Sequence, residues 1–216
     1  METTYTKTDF INHLNLLKPS GYILNNDLFF EKSIPNGKIS ISCRGNEYFP
    51  HSFIFGSVSV DVRFTNVEDI FSQVCLTTNN LVYEADADDY TFGLGFADDV
   101  IGETNFDFLY DNEVYNDETF FRVRPLLQQM INSALQWVSQ NETIQNAYNN
   151  AELLSLDARS DFYSHPFPAK YMIVKRLVGA SDYSSYATEN VNFYNSEPDT
   201  AKANFYQLLK TTLDAL

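Results

Sequence analysis

Residues 28–43 read LFFEKSIPNGKISISC, and this stretch decides the fold class. Two short apolar-rich runs flank Pro35-Asn36-Gly37, where proline presets its own φ and glycine tolerates a positive φ. In the second run the apolar residues occupy odd-numbered positions, which is typical of a strand with one buried face. The stretch therefore predicts a β-hairpin, and with it an antiparallel sheet.

The sequence on either side of the hairpin adds helices and further strands. Thr8 is predicted to cap a first helix, and a third strand is predicted over residues 53–64. The apolar residues of that strand change parity at Gly56-Ser57, which indicates a β-bulge or a bend. Asn66 is expected to cap a short helix, and alternating aromatic residues predict strands over 90–96 and 106–110.

The C-terminal part has the apolar spacing of helices. One helix is predicted to begin at Pro125, with residues 119–124 left open between a helical extension and another strand. A helix over 144–156, a loop over 158–168 and a last helix capped by Ser196 follow.

These patterns predict an α+β fold, an antiparallel β-sheet packed by helices, with a mainly helical C-terminal third. The 216 residues are expected to form a single domain that is β-rich over 1–118 and mainly helical over 119–216.

The charge of the chain is strongly one-sided. The 29 acidic residues outnumber the 14 lysines and arginines and give a net charge of −15. From Phe64 to Phe121 there are fourteen acids and no Lys, Arg or His. Such a segment repels nucleic acid and anionic membrane surfaces and attracts cations or basic partners.

The compartment follows from what the sequence contains. We expect a cytoplasmic protein, since the N-terminus lacks a secretory signal and no apolar stretch approaches the roughly 18 residues of a membrane span. Cys43 and Cys75 are expected to be free buried thiols, although one disulfide stays open. The basic pair Lys175-Arg176 is expected to bind acids elsewhere in the fold. The sequence does not indicate an oligomeric state.

The acids gather between and beside the predicted aromatic strands, so we expect them to mark loops on one side of the sheet. Tyrosines interleave with them and could anchor a partner. The predicted partner-binding residues are Asp86, Asp88, Asp89, Tyr90, Asp98, Asp99, Tyr110, Asp111, Glu113 and Tyr115.

Metal and catalytic motifs are weak in this chain. The segment from Asp86 begins like an EF-hand loop, but that loop needs Gly and Glu where Thr91 and Ala97 stand. The three histidines share no metal-ligand spacing, and no hydrolase or phosphate-loop motif occurs. No catalytic residue, metal ligand or cofactor is therefore assigned, and an irregular oxygen-ligand site or a Cys–His dyad assembled in space stays open.

Residues 8–75 carry a resemblance. Leu17-Lys18-Pro19-Ser20-Gly21-Tyr22 is followed by Leu28-Phe29-Phe30 and by alternating strands to Phe64. This order of elements resembles small uncharacterised bacterial α+β domains, some of which lie near toxin–immunity loci. The resemblance implies a fold for these residues and little else, carries no catalytic residue, and does not account for the helical part over 126–216.

The leading hypothesis is a non-enzymatic binding protein of the immunity or inhibitor type, whose acidic face engages a basic protein. The alternative is a Ca²⁺- or Mg²⁺-dependent binding protein or hydrolase that uses the same carboxylates. A third interpretation is a domain whose acidity serves solubility alone.

Overall fold

The structure is a computed structural model that describes residues 6–26, 28–43, 47–48, 52–53, 58–86, 89–96 and 117–216. The helices in these ranges are α1 (Lys7–Asn15), α2 (Thr65–Thr77), α3 (Asp117–Asn141), α4 (Ile144–Ala151), α5 (Leu156–Phe162), α6 (Phe167–Leu177), α7 (Tyr183–Ser196) and α8 (Thr200–Asp214). The strands are β1 (Ile23–Leu24), β2 (Phe29–Ile34), β3 (Gly37–Ser42), β4 (Glu47–Tyr48), β5 (Ser52–Phe53), β6 (Val58–Phe64) and β7 (Phe92–Phe96).

The main sheet is antiparallel and has five strands in the order β1-β2-β3-β6-β7. β1 pairs with β2 in a register that places Ile23 opposite Glu31, and β4 and β5 form a separate two-stranded sheet. Six of the eight helices in the described ranges follow residue 116, so the fold is α+β with a mainly helical C-terminal part, as the sequence predicts.

The hairpin at residues 28–43 is confirmed. Ile39, Ile41 and Cys43 are all buried, so the odd-numbered positions of the second run face the core. The turn lies at Pro35-Asn36, and a Cβ built on Gly37 would lie 1.8 Å from the Arg63 carbonyl oxygen. Glycine is therefore required at residue 37 by close backbone approach.

The chain divides into two compact units, and unit 1 comprises Met1–Ile34, Lys38–Asp61 and Leu94–Gln140. Within it, the imidazole of His13 on α1 stacks on the ring of Phe120 on α3, with centroids 4.1 Å apart. His13 Nε2 also lies 2.9 Å from Asp117 Oδ1. The only tryptophan of the chain, Trp137, belongs to α3 and to this unit.

Unit 2 comprises Pro35–Gly37, Val62–Gly93 and Asn141–Leu216. Its helices α2, α6, α7 and α8 pack on one another. The largest core side chains include Phe71 of α2 and Phe205 and Tyr206 of α8, each no more than 1% exposed. Burial of each of these side chains contributes about 1.5–3 kcal/mol of hydrophobic stabilisation to the folded state.

Several predicted helix ends are wrong. Thr6, not Thr8, caps α1 through a capping box with Asp9, and Phe64 precedes α2 in place of Asn66. Pro125 lies inside α3, which begins at Asp117, so residues 119–124 extend that helix. A proline in a helix removes one backbone hydrogen bond, and here the long buried stripe of α3 outweighs that loss.

The predicted ends further along the chain are also displaced. Ser196 ends α7, and Asp199 caps α8 by accepting from the backbone N–H groups of Ala201 and Lys202. The predicted loop over 158–168 contains most of α5, whereas the predicted bend at Gly56-Ser57 and the strand over 106–110 lie outside the described residues.

Cys43 and Cys75 are both buried and both free thiols, as the sequence favours. Burial raises the pKa of the Cys43 thiol to about 12, and burial followed by the Asp89 carboxylate raises that of Cys75 to about 11. In the described ranges, no helix combines the length and the apolar character that crossing a bilayer needs.

Candidate functional site

An open cleft of about 730 Å³ lies in unit 2. One wall is the segment that follows α2, and the others come from α2 itself, the turn that leads into α6, α7 and α8. The lining residues are Phe71, Val82, Tyr83, Glu84, Asp86, Asp89, His165, Pro166, Pro168, Tyr194 and Lys202.

The charge of the cleft is negative. Among the described residues that line it, Glu84, Asp86 and Asp89 contribute three carboxylates and Lys202 contributes one ammonium group. Glu84 and Asp86 are exposed, and Lys202 Nζ lies 3.8 Å from a carboxylate oxygen of Asp199. A concave surface lined by an excess of one charge concentrates ions of the opposite charge, so this cleft attracts cations.

The aromatic side chains of the cleft are held by the core beneath them. The ring of Tyr83 packs edge-on against Phe205 at 4.9 Å, and its hydroxyl lies 3.4 Å from that of Tyr206. Burial raises the pKa of Tyr83, so its phenol stays neutral. The ring of Tyr194 stacks on Tyr206 with centroids 4.0 Å apart. The two tyrosines therefore form a wall that needs little rearrangement to receive a ligand.

A buried ion pair lies next to Asp89, one of the acids that line the cleft. Lys170 Nζ on α6 lies 2.8 Å from Glu68 Oε2 on α2, and both side chains are almost completely buried. Thr91 Oγ1 donates to the other oxygen, Glu68 Oε1, at 2.7 Å. Burial raises the pKa of Glu68, and the Lys170 ammonium opposes that rise. Because two charges are desolvated here, each depends on these partners.

The same lysine also contacts Asp89 and Tyr90, which follow one another in the segment beside the cleft. Lys170 Nζ donates to the Tyr90 carbonyl oxygen at 2.7 Å and lies 3.8 Å from Asp89 Oδ2. The Tyr90 carbonyl also accepts from the Ser164 hydroxyl, and the Asp89 carbonyl accepts from the guanidinium of Arg63. Burial raises the pKa of Asp89 above its usual value, and the Lys170 ammonium group opposes this rise only in part. These bonds fix the position of Asp89 in the cleft.

A second buried lysine lies in an aromatic cage. Lys175 Nζ lies 5.5, 4.7 and 5.6 Å from the ring centroids of Tyr148, Tyr171 and Tyr186. Both carboxylate oxygens of Asp182 accept from it at 2.7 Å. Burial lowers the pKa of Lys175, but the hydrogen bond to Asp182 and the tyrosine hydroxyls raise it above its usual value. Lys175 therefore pairs with an acid, but with one seven residues along the chain and not elsewhere in the fold, as was predicted for Lys175-Arg176. Arg176 Nε donates to the Leu213 carbonyl oxygen.

The predicted partner-binding residues fall into three groups. Asp86 and Asp89 line the cleft together. Tyr90 has a partly exposed side chain and contributes its carbonyl oxygen to the Lys170 network. The remaining ones lie outside the described residues: Asp88, Asp98, Asp99, Tyr110, Asp111, Glu113 and Tyr115.

Sequence reasoning did not select five polar or aromatic residues of the cleft, namely Tyr83, Glu84, His165, Tyr194 and Lys202. Tyr194 and Lys202 are more than a hundred residues from Asp86, and only the packing of α7 and α8 in unit 2 brings them to the same cleft. Tyr83 is next to Glu84, and an aromatic residue beside the first acid of the run is a signal that could have found it.

The described residues contain no group of three or more His, Cys, Asp or Glu side chains placed to hold a metal ion. The cleft combines carboxylates, which attract cations, with aromatic rings, against which an apolar side-chain stem can pack. Comparison of the chain with protein-family models, with curated proteins and with solved structures found no match.

Proposed function

We propose that this protein is a cytoplasmic, non-enzymatic binding protein of the immunity or inhibitor type that engages a basic protein through an acidic face. The observation that supports this most directly is the cleft in unit 2, which combines three carboxylates with tyrosines held by the core. The two buried free thiols fit a reducing compartment.

The charge distribution supports a protein partner of opposite charge. Opposed charges speed association and exclude wrong partners, while rings supply most of the affinity at the centre of an interface. Charged groups and rings both line the cleft. Its three acids belong to the longer acidic segment of the sequence from Phe64 to Phe121.

The test is binding of an arginine- and lysine-rich peptide to the full chain, measured by fluorescence anisotropy over a series of salt concentrations. We expect Glu84→Lys/Asp86→Lys to weaken binding by about tenfold or more, since charge reversal near a cation is repulsive. The matched control is Glu142→Lys/Glu189→Lys, which changes the net charge equally at exposed acids of unit 2 outside the cleft.

Equal weakening by the two double variants would show only a general charge effect and would contradict the proposal. Titration with Ca²⁺ and Mg²⁺ tests the metal-dependent alternative in the same preparation. A saturable rise in melting temperature that Glu84→Lys/Asp86→Lys abolishes would replace the proposed function with metal binding.

A further inference from the structure

We infer that the cleft is a recognition pocket for one cationic side chain, an arginine or a lysine, presented by the basic partner. This inference rests on the proposed function and adds the chemistry that the cleft recognises. It commits to the pocket lined by Tyr83, Glu84, Asp86, Asp89 and Tyr194.

The first support is charge complementarity within a concave site. The side chains of Glu84 and Asp86 are exposed, and both line the cleft. Lys170 holds Asp89 from behind at 3.8 Å. The cleft therefore offers two exposed carboxylates and one fixed carboxylate to an incoming cation.

The second support is the pair of tyrosines. A cation within about 6 Å of a tyrosine centroid is attracted by the ring quadrupole, and the methylene stem of Lys or Arg packs on the same apolar surface. Tyr83 and Tyr194 are both fixed through Tyr206, so an entering side chain meets rings that are already in place.

The third support is a precedent within the chain. Lys175 is bound by three tyrosine rings and the carboxylate of Asp182, with its ammonium 4.7 Å from the nearest ring centroid. The cleft presents the same two kinds of group, and the one lysine among its described lining residues, Lys202, lies near Asp199. The cage shows that this chain holds an ammonium group with tyrosine rings and a carboxylate.

The experiment uses three capped tripeptides, Gly-Arg-Gly, Gly-Lys-Gly and Gly-Gln-Gly, titrated into the full chain and followed by amide chemical shifts. We expect a saturable response to the arginine peptide, the lysine peptide or both, with a Kd of about a millimolar for so small a ligand. The responding amides are expected over residues 83–86 and 89–90, and the glutamine peptide should cause no saturable shift.

Variants then assign the response to the cleft. Tyr194→Leu should weaken binding of the cationic tripeptide by about threefold to tenfold, and Tyr194→Phe should restore part of the loss because it keeps the ring. The matched control is Phe121→Leu, which removes an exposed ring from α3 of unit 1, outside the cleft lining. Glu84→Gln/Asp86→Asn should weaken binding by about tenfold.

The outcomes separate this inference from the proposed function. If the basic peptide binds with salt dependence but neither cationic tripeptide does, the pocket inference fails and the proposed function stands. Tripeptide binding that Tyr194→Leu and Glu84→Gln/Asp86→Asn leave unchanged also overturns the inference. If the wild-type chain binds neither the basic peptide nor the tripeptides, both proposals fail together.

Discussion

Lys170 and Lys175 lie on the same helix, α6, and the protein buries both, but it satisfies the two ammonium groups in different ways. Lys170 has a fully buried carboxylate partner, Glu68, and a single ring, Phe71, at 5.2 Å. Lys175 has three tyrosine rings and a carboxylate, that of Asp182, whose side chain is 60% exposed.

This difference predicts how much stability the protein loses when each lysine is replaced. The Glu68–Lys170 pair consists of two desolvated charges, so removing Lys170 leaves the buried Glu68 carboxylate without the ammonium group that lies 2.8 Å from it. Removing Glu68 still leaves Lys170 with Asp89 at 3.8 Å. In the Lys175 cage the counter-charge reaches water and the rings pack without the cation, so the cage tolerates more. The cleft combines features of both sites, with a carboxylate fixed by Lys170 and tyrosines like those around Lys175.

The largest effect is expected from Lys170→Met. This change leaves the Glu68 carboxylate buried without its cation, and breaking such a pair costs about 3–5 kcal/mol of the free energy of unfolding. Urea denaturation followed by far-UV circular dichroism measures the loss. The double variant Glu68→Gln/Lys170→Met should recover part of it, because the amide is uncharged and still accepts from Thr91. A loss below about 1 kcal/mol in Lys170→Met would mean that water reaches the pair.

A smaller effect is expected from Lys175→Met. The exposed Asp182 side chain becomes hydrated, and the three rings keep their packing, so we expect a loss of about 1–2 kcal/mol in the same assay. Lys202→Met serves as the control for removing a lysine that is not caged. A loss as large as that of Lys170→Met would erase the distinction between the two sites.

The smallest effect concerns alkaline pH. Burial and the hydrogen bond to Glu152 raise the pKa of Tyr171 to about 12, from an ordinary value of 10.0. Between these two values the unfolded chain loses this proton first, so the cage contributes less stability as the pH rises above 10. Tyr171→Phe removes this contribution, and the stability gap between wild type and variant should change by less than about 1.4 kcal/mol per pH unit.

Urea midpoints at pH 8, 9, 10 and 11 measure that gap. Below pH 9 the phenol is protonated in both states, and the gap should be constant. A gap that stays constant up to pH 11 would mean that Tyr171 titrates alike in the folded and unfolded chain, which contradicts its burial in the cage.

Local patterns predict the elements of this fold better than its helix ends or its site. The hairpin prediction is confirmed because the alternation of apolar residues and the turn residues both lie within residues 28–43. Ser196 was predicted to cap the last helix, but Asp199 carries an equivalent side chain three residues later, and local sequence does not choose between them. Helix α7 was not predicted, because few of its residues are apolar and its stripe is short.

The candidate site shows the same limit more strongly. Asp86 and Asp89 were predicted as binding residues from the density of acids around them, and both line the cleft. Glu68 and Lys170 are 102 residues apart, and neither has a neighbour in sequence that reveals the pair. A long-range ion pair depends on how helices pack, which one sequence without its fold does not contain.

Trp137 allows the two units to be followed by different spectroscopic signals. The only indole fluorophore of the chain belongs to unit 1, whereas both buried lysines, the tyrosine cage and the cleft belong to unit 2. Tryptophan emission therefore monitors the environment of α3, and tyrosine absorbance is weighted toward unit 2, which holds nine of the fourteen tyrosines. Recording both signals along one denaturation curve reveals whether the two units lose their structure in a single cooperative transition or in succession.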